Sequence, residues 1–534
     1  MRTHAARTFA ATVAFLSMLA WAQLPGQSPQ TFSQVVQSVI DRPEFRHVSW
    51  GIEFYSLDQK KVLFAYNGQK FFTPGSTTKL LTEGTAMHYL GADYRFHTQV
   101  YRTGAIKGGT LDGDLVLVAS GDPNLSDRMQ ADGTLAFADE DHSYGGVDSK
   151  LIPGDPAMVL RELAKQVKAG GIRKVRGGVV VDVSLFPEGD RELGTGVVIS
   201  PITVNDNVID VSVTPGSTAG APANVVYSLH VPYIHFVNKI TTGAGGSKVV
   251  PIEGTSTTEA DGSETVTLNG TLPLDKPSYI YGYPVNSPSR FAKALLVEAL
   301  NDQGIVIENN KAEVTDPKSF YTAENRVAEH VSAPFSEDVK LTLKMSQNLH
   351  ASMTPFIVGA IAGKATTEID AKGFDLENQF FTEGGLDLSG VSQADGAGGA
   401  LSAYFTPDFM VHYLEYIYHQ PDFAKFEKAL PILGRDGTLF KTQANSPAAG
   451  QVFAKTGTFG AEDLVNHKLM VVGKGLAGYT TSPSGEHLSF ALYLNHLELN
   501  DDAKPAVEVA GDALGEISAA AHDFAIDRET LEQK

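Results

Sequence analysis

At 534 residues the chain exceeds what one hydrophobic core ordinarily holds, and 42% hydrophobic with 9% aromatic residues excludes a disordered protein. A net charge of −20 argues against nucleic acid or an anionic membrane as a partner, because phosphate binding needs a basic surface. The absence of cysteine removes disulfides, thiolate nucleophiles and zinc–thiolate sites together.

The N-terminus carries Arg2 and Arg7, an apolar run from Ala10 to Trp21, and small residues at Ala20 and Ala22. That order reads as a signal peptide over residues 1–22, since the run is shorter than the ~20 residues a membrane span needs. The mature protein is therefore expected in the periplasm or outside the cell. No transmembrane anchor is expected, and membrane contact would be peripheral at most.

Apolar spacing at Phe32, Val35, Val36 and Val39 predicts a short helix, followed by strands over Val48–Ser56 and Lys61–Ala65. Thr73-Pro74-Gly75 then breaks the chain and launches a helix with Leu80, Gly84, Met87 and Leu90 on one stripe, closed by Gly91. Ser76 falls in its first turn. Residues 104–336 turn rich in Gly, Val and Thr, with strands such as Asp114–Val118, Gly178–Val183 and Val208–Val213 and one helix over Arg290–Asn301. Helical periodicity returns after Ser336 and again over Pro407–Tyr418. Two strands, Gly475–Thr481 and His487–Tyr493, then precede a C-terminal helix from about Ala506 to Phe524. The expected organisation is one α/β unit, residues 30–103 and 337–534, split by a β-rich insertion over 104–336 of one or two subdomains, two being preferred.

Three short strings carry chemistry. In Ser76-Thr77-Thr78-Lys79, positions i and i+3 of a helix face the same way, so the lysine amine can reach the serine hydroxyl. A serine hydroxyl needs such a base, and lysine serves once burial or a second cation, here Lys455, lowers its pKa. Ser346-Gln347-Asn348 offers a hydroxyl for proton relay and an amide for a substrate. Lys455-Thr456-Gly457-Thr458 ends a predicted strand, with Lys455 and Gly457 on one side and Thr456 and Thr458 on the other. Glycine there lets a substrate backbone approach an edge strand, and threonine with lysine can bind a terminal carboxylate.

These strings, with Gly121-Asp122-Pro123-Asn124-Leu125, Asp395-Gly396-Ala397-Gly398 and Asp436-Gly437-Thr438-Leu439, make the chain resemble the D-alanyl-D-alanine carboxypeptidase/endopeptidase family of class C low-molecular-mass penicillin-binding proteins. The long gap between Ser76 and Ser346 resembles that family and not the related β-lactamases. The resemblance implies an α/β (α+β) transpeptidase-type domain, β-lactamase-like, with an antiparallel sheet flanked by helices and inserted β-rich domains. It implies Ser76 as nucleophile, Lys79 as its base, Ser346 and Lys455 in proton transfer to the leaving group, and Asn348 orienting the acyl donor. Thr456, Gly457 and Thr458 would bind substrate, with the Ser76 and Thr458 N–H groups as oxyanion hole. Peptidoglycan peptides and β-lactams would be the partners, with no cofactor or metal.

Three positions depart from the family's pattern. The only tryptophan beyond the leader is Trp50, far from the insertion; Ala403 follows Leu401-Ser402 where arginine is usual; and Gly460 stands where a polar side chain is common. A β-lactamase or a wall-binding scaffold that lost turnover are the rival readings. Neither E-x-x-L-N between Ser346 and Lys455 nor G-x-S-x-G is present, H-E-x-x-H is missing, and Gly359–Ala365 is one residue short of a phosphate loop.

Overall fold

In the computed structural model, which describes residues 31–309, 317–499, 504–526 and 529–530, the two ends of the chain meet in one sheet. Its strands run Val452–Asp463, Lys468–Thr481, His487–Leu497, Ser49–Ser56 and Lys61–Tyr66, each antiparallel to the next, with Glu529–Thr530 at the far edge. The period-2 pattern of these strands divides the core. Phe490, Leu492 and Leu494 point to the helices Phe32–Ile40 and Ala506–Asp523, whereas Ala491 and Tyr493 face the helices Thr78–Leu90 and Pro407–Tyr418. Ser49–Ser56 is central in the sheet, and every residue after Ser49 is buried. The fold is thus α+β, an antiparallel sheet flanked by helices.

Between Arg95 and Ser332 the chain builds further sheets. Strand His97–Arg102 pairs with Arg326–Val331 on one side and Leu115–Val118 on the other, so the chain leaves and rejoins at adjacent strands. Val208–Thr214 is flanked by Asn224–Tyr227 and Tyr279–Pro284, and a four-stranded sheet forms around Glu264–Pro273. The sequence predicts one helix in this stretch, and its described residues hold two of substantial length. Pro288–Asp302 corresponds to the expected one; Met158–Ala169 is the addition. Val159, Leu160, Leu163, Ala164 and Val167 give it a helical stripe, but Pro-Gly before it and Gly-Gly after it look like strand turns in the sequence.

Glycines set how the segment preceding Thr78 meets the sheet. Gly457 and Gly475 are direct cross-strand partners, and Gly473 pairs with Phe459. A Cβ on Gly457 would lie 2.0 Å from the Pro74 carbonyl oxygen, and one on Gly473 would lie 2.6 Å from that of Thr73. This bare floor lets the Thr73–Thr77 backbone press directly onto the strands. Gly75 itself has φ +50°, and a Cβ on it would stand 2.6 Å from the Thr458 nitrogen. Gly457→Ala forces two backbones apart, so chemical denaturation should show a loss of about 1–3 kcal/mol.

Among the described residues no helix is long and apolar enough to cross a membrane. The expected leader, residues 1–22, lies outside them.

Candidate active site

Ser76 sits in a tight 3-10 turn, Gly75–Thr77, that runs straight into the helix Thr78–Leu90. The turn is self-braced: Thr77 Oγ1 donates to Pro74 O at 2.9 Å and Thr78 Oγ1 to Gly75 O at 2.9 Å. One helical turn on, Lys79 Nζ lies 2.7 Å from Ser76 Oγ, and it also donates to Asn348 Oδ1 at 2.7 Å and Ala397 O at 3.2 Å. Lys79 is fully buried. Burial lowers its pKa to about 7, against the nearby carboxylates of Glu192, Asp395 and Glu83, which favour the charged form.

The second string is a joint between helices and not part of a continuous one. Helix Phe335–Met345 ends where Ser346 takes a left-handed conformation with φ 61°, and Asn348 opens the helix Asn348–Ile357. Gln347 caps that helix, its Oε1 accepting from Leu349 N at 3.1 Å. The bend turns Ser346 Oγ toward two amines, Lys455 Nζ at 2.8 Å and Lys79 Nζ at 3.4 Å. Lys455 is buried too. Desolvation holds its pKa well below the ordinary lysine value, and the positive charges of Lys79 and Lys474 push it the same way. The like-charge repulsion between the two lysines thus acts in the same direction as burial.

Strand Val452–Asp463 brings the third string to the same place. Lys455 and Gly457 are buried, Thr456 is half-buried and Thr458 exposed. Thr456 Oγ1 donates to Thr438 Oγ1 at 2.7 Å, and Lys474, the cross-strand partner of Thr458, donates to its Oγ1 at 2.7 Å. Burial brings the Lys474 pKa down to about 8. Ser76, Ser346, Asn348, Thr456 and Thr458 line one open cleft of about 560 Å³. Its other wall comes from residues 139–149, with the carboxylates of Asp139, Glu140, Asp141 and Asp148.

All eight residues singled out in the sequence thus come together around the Ser76 turn. Four others at the site were given no role there, although Asp395 stands in one of the strings that carry the resemblance. Lys474 is a buried cation between the apolar residues 469–473 and 475–478, a signal present in the sequence. Asp395 folds a tight loop by accepting from the N–H groups of Ala397, Gly398 and Gly399, and so aims Ala397 O at Lys79. Glu192 braces a loop through Gly194 N and Thr195 N, and a Cβ on Gly194 would meet Asn348 Nδ2 at 2.3 Å. Tyr144 donates its hydroxyl to Ser346 O. No local pattern marks Glu192 or Tyr144, because long-range folding alone brings them here.

The departures also find places. Trp50 is buried in the sheet core, edge-on to Phe45. Ala403 is buried while Leu401 stays largely exposed. Gly460 lies at a register shift in a long hairpin whose strands extend to Asp463 and back from Lys468.

Comparison with known proteins gives a consistent result. The family described as "D-Ala-D-Ala carboxypeptidase 3 (S13) family" matches residues 32–516. The chain is 27% identical over 482 residues to a D-alanyl-D-alanine carboxypeptidase of Actinomadura sp. (strain R39), covering 86% of this chain and 80% of that protein. It is 22% identical over 457 residues to the D-alanyl-D-alanine carboxypeptidase DacB of Haemophilus influenzae, covering 84% and 85% of the two chains. The crystal structure of penicillin binding protein 4 (dacB) from Haemophilus influenzae superimposes with a TM-score of 0.69 at 21% identity, covering 91% of this chain and 98% of that one.

Proposed function

The chain belongs to the D-Ala-D-Ala carboxypeptidase 3 (S13) family, a family of serine hydrolases, and on that premise we propose that it cleaves the bond before a C-terminal D-alanine of peptidoglycan stem peptides through an ester on Ser76. Neutral Lys79 takes the Ser76 proton as Oγ adds to the carbonyl carbon. The oxyanion is held by the N–H groups of Ser76 and Thr458, each such donor being worth about 10²–10³ in rate. As the C–N bond breaks, Ser346 passes its proton to the leaving amine and is reprotonated from the lysines beside it. Water then attacks the ester, with Lys79 again as base. Asn348 orients the acyl donor, while Thr456 and Thr458, backed by the Lys474 charge, bind the terminal carboxylate. An interpeptide bond in the same place would be opened as by an endopeptidase. A β-lactam would acylate Ser76 and leave slowly.

The observation that carries this reading is the position of Ser346 Oγ between two buried lysine amines, one of which is 2.7 Å from Ser76 Oγ. Asp139 and Asp148 on the cleft wall favour a stem peptide bearing a free amine, whereas Glu140 and Asp141 are already paired with Lys441 and Arg128. The same reading takes residues 30–103 and 337–534 as the catalytic unit, 104–336 as its insertion, and the periplasm or cell exterior as its place of work.

Incubation with benzylpenicillin followed by peptide mass mapping tests it. The expected result is a penicilloyl adduct on the peptide containing Ser76, with D-alanine released from a D-Ala-D-Ala pentapeptide by unlabelled protein only. An adduct on another residue, or D-alanine release that penicillin leaves untouched, would remove the assignment.

A further inference from the structure

Behind the Ser346 joint lies a group of charges that the proposed reaction does not use. Asp206 is at its centre, buried, in a run Asn205-Asp206-Asn207 whose residues all have left-handed backbone, φ 51°, 52° and 55°. Three successive residues in that region are costly, and such strain persists only where surrounding contacts enforce it. Here Asn205 and Asn207 are held by amide hydrogen bonds to neighbouring backbone, and Asp206 by charges. Asp206 Oδ2 accepts from Arg128 Nη2 at 2.6 Å and pairs with His142 Nε2 at 2.9 Å, while Oδ1 pairs with His350 Nε2 at 3.0 Å. Gln347 Nε2 reaches toward the same carboxylate at 3.4 Å.

Each partner leads somewhere different. His350 stands on the helix that Asn348 opens, and its other nitrogen is held by Asp338 at 2.9 Å. Gln347 is the middle residue of the Ser346–Asn348 string. His142 is two residues before Tyr144, which donates to the Ser346 carbonyl, and belongs to the 139–149 segment that walls the cleft. Arg128 adds a second hold on that wall through Asp141, at 3.1 Å. Asp141, His142 and Asp206 together have the donor types of a metal site. Arg128 Nη2 contacts both carboxylates, however, and supplies the positive charge an ion would bring.

We propose that Asp206 is a positioning residue: resting on the serine-acylation reading above, its buried carboxylate joins the Ser346–Asn348 bend to the opposing wall of the cleft and so sets where Ser346 Oγ stands relative to Lys79 and Lys455. The site depends on a 2.8 Å and a 3.4 Å contact to one hydroxyl. A shift of about 1 Å there is enough to cost ~10²-fold in rate. Burial by itself would favour the neutral rings, but the surrounding aspartates outweigh it and keep His142 and His350 protonated. Asp206 is the acceptor the two imidazolium groups share.

The test uses the full-length protein and its Asp206→Asn, His350→Gln and Tyr144→Phe variants. It measures the acylation rate constant with a fluorescent penicillin, normalised to the folded fraction, and kcat and KM for a D-Ala-D-Ala peptide. Asp206→Asn should slow acylation per folded molecule by about 10²-fold, lowering kcat with little change in KM. His350→Gln and Tyr144→Phe, each cutting one tie, should lose less and in the same parameter. Wild-type acylation per folded molecule in Asp206→Asn, with only the melting temperature reduced, would overturn the proposal. If Asp206→Asn does not fold, wild-type rates in both His350→Gln and Tyr144→Phe overturn it equally. Failure of the unaltered protein to label at all would instead refute the serine-acylation reading.

Discussion

Replacing Ser76 by alanine should leave a folded protein that forms no penicilloyl adduct and releases no measurable D-alanine. The side chain is small, and the turn that carries it is braced by Thr77 and Thr78, whose hydroxyls bond the backbone of Pro74 and Gly75. Alanine removes one oxygen and disturbs none of those bonds. The lysine pair and Ser346 remain, but none is a substitute nucleophile: Ser346 Oγ belongs to a separate bend and faces the amines. Mass spectrometry after penicillin treatment and a D-alanine release assay check this, with thermal unfolding as the control for folding. Residual adduct on Ser76→Ala would mean that another hydroxyl carries the acyl group.

Removing the base has the next largest effect. Lys79→Ala should lower the acylation rate by roughly 10²–10⁴-fold, the usual value of a positioned proton acceptor. The unaltered protein should show a matching pH dependence. Lys79 accepts a proton only when neutral, and burial places its pKa at about 7. Acylation should therefore be slow in acid, rise about tenfold per pH unit while Lys79 is mostly charged, and level off above about pH 7. A lysine of ordinary pKa would keep rising well into the alkaline range. Stopped-flow acylation between about pH 5 and 9 separates the two cases, and Lys79→Ala should lose the rising limb.

Several elements were legible because their information is local. The helix after Ser76 announces itself by a Pro-Gly break and an apolar stripe, and i, i+3 spacing alone puts Lys79 beside the serine. The alternation of Lys455-Thr456-Gly457-Thr458 could be read from the sequence, but the strand does not end there as expected: it starts at Val452 and runs on to Asp463 as one arm of a long hairpin. The Ser346 bend was harder. Its neighbours have continuous helical periodicity, and only the structure shows the chain turning left-handed at Ser346 to begin a new helix. Met158–Ala169 was missed for the opposite reason, since its periodic residues stand between turn signals that suit strands equally well.

By itself the sequence determined the chemical identities: a hydroxyl and an amine one helical turn apart, a second hydroxyl with an amide, and a third cluster with lysine, threonines and glycine. It also determined the family, because those strings occur in order with a long interval between the first two. Tertiary structure decided everything that depends on distances between remote segments. It put Ser346 Oγ between two amines, gave Thr458 its partner in Lys474, set Tyr144 on the Ser346 carbonyl, and gathered Arg128, His142 and His350 around Asp206. The physical reason is that a pKa or a hydrogen bond responds to burial and to charges a few ångströms away in space. Spacing along the chain carries that information only within one helix turn or one strand.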